Sequence, residues 1–291
     1  MSANTVDVPM ALNAISALTI HGLIADTEGT SIPVILHRTV APLDLVPFLK
    51  LSSPDAPELD FVPFIPRPPS TLPEPGDLHV QLIFGEEKGW GRSSFVHEVN
   101  VLPTTTLPAH LPPLVLKVAR SKRRAEIGRE AWFYDELECF QGVVLPRCYG
   151  WFEAELAEGQ SFAHWTGPNR RSSRTESSNP EWLFEGSRQL KEMSHSRNYV
   201  SVLLLEKLGG KLPRGVPLAD ELVKGIYDMY GEIAELGVDH RDIRYSNMLT
   251  APQGPTTLPS LPSPFTGRIY THRMIDIEWV KGIVRSLPTD H

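Results

Sequence analysis

Leu78-His79-Val80-Gln81-Leu82-Ile83-Phe84 alternates apolar and polar residues, and Ser94-Phe95-Val96-His97-Glu98-Val99 does so again after a glycine-containing turn from Gly85 to Gly91. Two such runs around a glycine turn predict a β-hairpin. Leu114-Val115-Leu116-Lys117-Val118-Ala119 reads as a third strand, beyond a proline-rich connection. Residues 122–140 then carry Ile127, Ala131, Tyr134 and Leu137 at helical spacing. Val143-Val144-Leu145, Tyr149-Gly150-Trp151-Phe152 and Val200 to Leu205 are further strand candidates. Leu218, Leu222, Ile226, Met229, Ile233 and Leu236 form one stripe of a long helix over 218–236, ended by Gly237. Strand character resumes from Ile269 to Ile277.

Outside these elements the composition changes. The chain holds 27 prolines, and residues 41–75 carry many of them, including Pro57, Pro63, Pro66, Pro68, Pro69, Pro73 and Pro75. Such a stretch forms neither a long helix nor a central strand. Residues 1–75 are therefore expected to be an extension with one or two short elements, packed loosely or disordered. Residues 157–199 are polar, most of all Arg170 to Ser178, and read as a surface insertion. Residues 251–267 read as a second insertion, rich in proline, serine and glycine.

The 291 residues carry a net charge of −7, and 41% are apolar. A sizeable core is possible. The densest basic run, Arg120 to Arg124, is short and opens a helix, so a nucleic-acid partner is not expected. Cys139 and Cys148 make neither a disulfide framework nor a CxxC metal site, and read as small core residues in a reducing compartment. The segment from Met10 to Ala25 is apolar but too short and interrupted for a membrane span. The first basic residue is Arg38, so the start lacks the basic region of a signal peptide. An intracellular, cytoplasmic protein with no membrane partner is the expectation.

The chemistry concentrates in His240-Arg241-Asp242-Ile243-Arg244-Tyr245-Ser246-Asn247 and in Met274-Ile275-Asp276-Ile277-Glu278. Phosphoryl transfer needs a carboxylate near the attacking hydroxyl and oxygen ligands for magnesium, and one short loop holding Asp242 and Asn247 supplies both. The first stretch resembles the catalytic loop of protein kinases, and Asp276 is similar to their metal-binding aspartate. The departure to Asp-Ile-Glu leans towards small-molecule kinases of the choline and aminoglycoside type. Lys117 resembles the strand lysine that touches the α- and β-phosphates. Glu130 matches its helix partner, with Glu126 one turn away as the alternative. The plainer alternative for Lys117 is an edge-strand lysine facing water. Gly89-Trp90-Gly91-Arg92-Ser93-Ser94 looks like the phosphate-covering loop, with Ser94 in place of its third glycine; a plain hairpin turn is the alternative. Glu206-Lys207-Leu208 stands where the adenine-binding hinge would be, with a surface turn as the equal reading.

The resemblance implies an α+β, protein-kinase-like two-lobed fold, with a β-rich N-lobe over 76–208 and a partial C-lobe over 209–291. Only residues 277–291 follow Asp276, so the helical C-lobe is expected to be incomplete, without an activation segment. The resemblance further implies ATP and Mg2+ as cofactors. Asp242 and Arg244 would be catalytic, and Asn247 and Asp276 metal ligands. Lys117, Glu130, Gly89, Gly91, Glu206 and Leu208 would bind nucleotide. The expected activity is transfer of the ATP γ-phosphate to a hydroxyl of a protein Ser/Thr. The alternatives are a pseudokinase that binds nucleotide or a protein, and a small-molecule kinase.

Overall fold

The computed structural model describes residues 8–42, 67–103, 105, 107–120, 122–163, 187–195, 198–240, 242–277 and 280–282. The prolines of 43–66, the Arg170–Ser178 run, Arg241 and Glu278 lie outside the described residues.

The N-terminal region supplies two strands, β1 (Ile15–Ala25) and β2 (Ser31–Arg38). They form an antiparallel hairpin whose turn is closed by the Asp26 carboxylate, which accepts the amides of Glu28 and Thr30 at 2.9 Å each. The expected hairpin follows as β3 (Leu78–Trp90) and β4 (Ser94–Val101), then β5 (Leu114–Ala119). Helix α1 (Arg124–Glu136) leads through a 3-10 turn to β6 (Cys148–Glu155), the two-residue β7 (Ser161–Phe162) and helix α2 (Arg188–His195). Strand β8 (Tyr199–Glu206) precedes helix α3 (Asp220–Glu235). Four three-residue strands end the described chain: β9 (Val238–His240), β10 (Met248–Thr250), β11 (His272–Met274) and β12 (Val280–Gly282).

The sheet order β1-β2-β6-β8-β5-β4-β3 returns to β1, because β1 pairs parallel with β3 as well as antiparallel with β2. Closure is completed by His37 and Arg38 of β2 against Glu153 and Phe152 of β6. The result is a closed seven-stranded barrel, and a barrel of this size is filled by its own side chains. Ile15, Leu18, Ile20, Leu36, Val80, Leu82, Leu116, Val118, Phe152 and Val202 fill it. A second apolar cluster lies outside the wall, where α1, α3, the 140–145 turn and β10–β11 pack against Trp151, Leu203 and Leu205.

This overturns the expected α+β two-lobed kinase-like fold, and with it the family resemblance. The strands do not form an open N-lobe sheet above a helical C-lobe. Residues 15–38, read as part of an extension, close the sheet into a barrel. Only three α-helices occur among the described residues, too few for a helical lobe. Val143–Leu145 forms no strand either: the amides of all three residues converge on the Phe140 carbonyl at 3.1 Å in a tight turn. The 251–267 segment is anchored rather than loose. Glu232 accepts hydroxyls from Ser263, Thr266 and Tyr270, and fully buried Arg273 donates to Ser260 Oγ at 2.6 Å. Among the described residues no helix is long and apolar enough to cross a membrane.

Candidate functional site

The site is built on the outer face of the barrel wall. Leu116 and Val118 of β5 point inward, so the alternation of a strand turns Lys117 outward, under α1. The lysine is only 5% exposed, and a buried ammonium is costly unless paired. Its Nζ donates to Glu130 of α1 at 2.6 Å and to Asp276 at 2.7 Å. Glu126, the alternative partner, is taken by Arg123 at 2.9 Å.

Asp276 follows β11 and has φ +67°, a left-handed conformation that Asp tolerates better than most residues. Burial alone would raise its carboxyl pKa, but the neighbouring Lys117 ammonium, with His240 and Arg244 beyond it, brings it below the usual carboxylate range.

The 240–247 loop is stitched to the same segment. The amide of Ile275 donates to the Asn247 carbonyl at 3.0 Å, just beyond the Met248–Met274 pair of β10 and β11. The Asn247 side-chain amide donates to the Asp242 carbonyl at 3.0 Å and to its Oδ2 at 2.9 Å. The other Asp242 oxygen is paired with Arg244 Nε. Asp242 N–H donates to His240 Nδ1 at 3.2 Å, which makes Nδ1 an acceptor and leaves Nε2–H to donate to the Ile275 carbonyl at 3.2 Å. Burial holds the His240 pKa below the usual value, although Asp242 and Asp276 are near, so the ring is neutral at neutral pH.

The glycine turn joins through the sheet. Gly89 pairs with Val96, Val96 with Lys117, and Lys117 with Leu203, so glycine and lysine share one row across the strands. Neither Gly89 nor Gly91 has a positive φ. A Cβ at Gly89 would meet nothing within 4 Å, and one at Gly91 only the Ser94 carbonyl at 3.9 Å. The folded chain itself does not demand glycine at either position.

Glu206 and Leu208 are not brought into this cluster. Glu206 lies three residues along β8 from Leu203, about 10 Å at strand spacing. Its buried carboxylate accepts the Arg147 guanidinium at 2.7 Å and the Arg147 amide at 3.2 Å, a structural role. Leu208 is half-buried beside Gly209, whose amide donates to the Thr250 carbonyl at 2.9 Å.

Three contributors were not anticipated. Arg120 Nε donates to the Gly91 carbonyl at 2.9 Å while its guanidinium lies 3.9 Å from the Phe95 ring centre, which ties down the glycine turn. Arg147 anchors Glu206, as described. Tyr134 stands one turn after Glu130, and its buried hydroxyl makes no hydrogen bond among the described residues. Burial pushes its pKa well up, with Glu130 adding to the effect. Only its four-residue spacing from Glu130 signalled it.

The oxygen donors are Asp276, Asn247 Oδ1 and Asp242. Among the described residues no group of three His, Cys, Asp or Glu side chains can hold a metal by itself. This set suits a hard cation that keeps water and phosphate ligands, as magnesium does, and not a closed thiolate or imidazole cage. In comparisons with known proteins, no family model matches the chain, and no curated protein matches it.

Proposed function

We propose that the chain binds a nucleoside triphosphate, ATP in the first instance, and transfers its terminal phosphoryl group to a hydroxyl. One observation carries this reading: the Lys117 ammonium is held between Glu130 and Asp276 in a segment stitched to the Asp242–Asn247 pair. A fixed cation for phosphate oxygens then adjoins an oxygen-donor set and a carboxylate. Gly89, in the same row as Lys117, leaves space for phosphate to approach the backbone. Glu206 to Leu208, about 10 Å along β8, lie within the span of a nucleotide from its phosphates to its base.

In this reading Lys117 binds phosphate oxygens, and Glu130 holds it in place. Asp242 orients the acceptor hydroxyl and takes its proton. The acceptor oxygen forms the new P–O bond as the bond from the terminal phosphorus to the bridging oxygen breaks, and the nucleoside diphosphate leaves. Magnesium, for which Asp276 and Asn247 are the fitting ligands, would neutralise charge on the phosphate oxygens.

A second reading, nucleotide binding without transfer, has its own observation. Both Asp242 oxygens are already engaged, by Arg244 and by Asn247. Titration with a fluorescent ATP analogue, with and without magnesium, combined with a radiolabelled phosphotransfer assay, separates the two. Phosphotransfer predicts magnesium-dependent binding, and turnover that falls about a hundredfold or more in Asp242→Ala. Binding with equal signal from wild type and Asp242→Ala leaves the binding-only reading. Absence of binding in wild type overturns both.

A further inference from the structure

Beside the Asp242 loop lies an open cavity of about 460 Å³, lined by Arg214, Gly215, Val216, Arg244, Tyr245 and Ser246. Its walls come from two parts of the chain: the loop that leads into α3, and the turn between Asp242 and Asn247. Arg214 makes no ion pair and no hydrogen bond among the described residues, and its side chain is exposed. Arg244 is shared between sites. Its Nε holds Asp242, and its side chain is 70% exposed. Val216 and Tyr245, 58% and 53% exposed, add apolar surface to the lining.

We propose that this cavity is the acceptor subsite and that it takes a small hydroxylated anion, carrying a carboxylate or a phosphate. This rests on the phosphotransfer reading. The volume falls within the range of small-molecule sites. A guanidinium presents paired donors that match the two oxygens of a carboxylate or phosphate. The Asp242 carboxylate would repel an anion placed against it, so the anionic end belongs with Arg214 and the hydroxyl end with Asp242. The shared arginine adds a consequence. An anion that draws Arg244 towards the cavity loosens its hold on Asp242 Oδ1, the oxygen that an acceptor hydroxyl requires. The engaged state of Asp242 is then the state without acceptor. A neutral polyol offers Arg214 and Arg244 no counter-charge and does not compete for Arg244.

The test uses the full chain and two anionic probes, D-gluconate for the carboxylate and glycerol 3-phosphate for the phosphate, against neutral sorbitol and glycerol. Calorimetric titration reads binding, and a fluorescent ATP analogue reads the nucleotide site in parallel. Saturable binding of at least one anion at millimolar concentration, with neither polyol binding, is expected. Arg214→Gln weakens that binding about tenfold, the loss of one charge-assisted contact, and leaves nucleotide affinity unchanged. Preference for gluconate assigns a carboxylate acceptor, and preference for glycerol 3-phosphate a phosphorylated one. Binding of the polyols as well as the anions, no anion binding, or anion binding indifferent to Arg214→Gln overturns the subsite. Arg214-dependent anion binding in a chain that binds no nucleotide leaves the cavity standing as an anion site and overturns the phosphotransfer reading instead. Nucleotide binding without anion binding does the reverse.

Discussion

The Lys117 ammonium and the Asp276 carboxylate lie 2.7 Å apart, although 159 positions separate them in the chain. This contact ties the barrel wall to the C-terminal strands. Glu130 completes the cluster, so two carboxylates share one ammonium. Lys117 and Glu130 are almost wholly buried, whereas the Asp276 side chain is 30% exposed. The excess negative charge thus sits at the solvent side, where a cation can reach it.

Removing the cation should be costly. Lys117→Met fills the same space but leaves Glu130 and Asp276 facing each other without it. Breaking a buried pair by deleting one partner costs about 3–5 kcal/mol. Urea unfolding should show a loss of that order, and the double variant Lys117→Met/Glu130→Gln should recover part of it. Nucleotide affinity should stay low in both. Recovery of nucleotide binding along with stability would remove Lys117 from the phosphate site.

Asp276→Asn separates the backbone role from the charge. Asn also tolerates the left-handed conformation at φ +67°, whereas Ala does not. The variant should fold, and magnesium should no longer strengthen nucleotide binding. Loss even of a group that only orients a metal ligand costs about tenfold or more in metal affinity, so a direct ligand should cost at least that. Titration of the fluorescent analogue at fixed nucleotide and rising magnesium checks this. Wild-type magnesium dependence in Asp276→Asn would exclude the residue as a ligand.

The site was more legible than the fold, for a physical reason. Asp242 and Asn247 sit on one short loop, and Lys117 and Glu130 on consecutive elements, so each pair is close in the chain, but the choice of Glu130 over Glu126 comes from the kinase resemblance and not from spacing. Barrel closure leaves no such local trace. It depends on His37 and Arg38 meeting Glu153 and Phe152, and on β1 pairing parallel with a strand beyond the proline-rich stretch. The segment from Met10 to Ala25 is weighed in the sequence only as a membrane span, and Pro33 falls within the residues read as an extension. Yet Pro33 is exposed where the β1–β2 register shifts between Ile20 and Ile24, and there a missing N–H is tolerated. Composition averaged over 75 residues concealed both strands.

His240 should make the site sensitive to acid. Its Nδ1 accepts the Asp242 amide, so protonation there places a proton against an N–H donor. The charged groups around it are Asp242 and Asp276, themselves next to Arg244, with the Tyr230 ring edge-on at 5.7 Å. Burial lowers the folded-state pKa below the unfolded value of about 6.5. The sign follows: stability from neutral His240 is present above that value and is lost as pH falls through the lower folded value. NMR titration of the His240 ring should give a midpoint below 6.5, with an Nε2–H tautomer above it. His240→Asn, which keeps an acceptor near the Nδ1 position, should flatten this part of the acid profile. A midpoint at or above about 6.5 would contradict the tautomer and the burial argument together.

Glu232 offers a test of how the C-terminal strands are held. It is 4% exposed on α3, on the stripe that the apolar pattern assigned to Met229 and Ile233, and nothing in that pattern marked a buried carboxylate. It accepts the hydroxyls of Ser263, Thr266 and Tyr270, and so fastens the 251–270 segment to the helix. That segment leads directly into β11 and Asp276. Glu232→Ala removes three acceptor contacts and leaves the buried Tyr270 hydroxyl without its partner. At about 1 kcal/mol for each hydrogen bond, the loss should be about 2–4 kcal/mol. Hydrogen exchange should accelerate over 251–274 before it does in the barrel strands, because the barrel core does not depend on Glu232. If phosphate binding depends on where Asp276 stands, nucleotide affinity should fall in the same variant while Lys117 and Glu130 remain in place. Unchanged exchange in 251–274 would mean that backbone contacts such as Leu261 to Gly142, rather than Glu232, fix the segment.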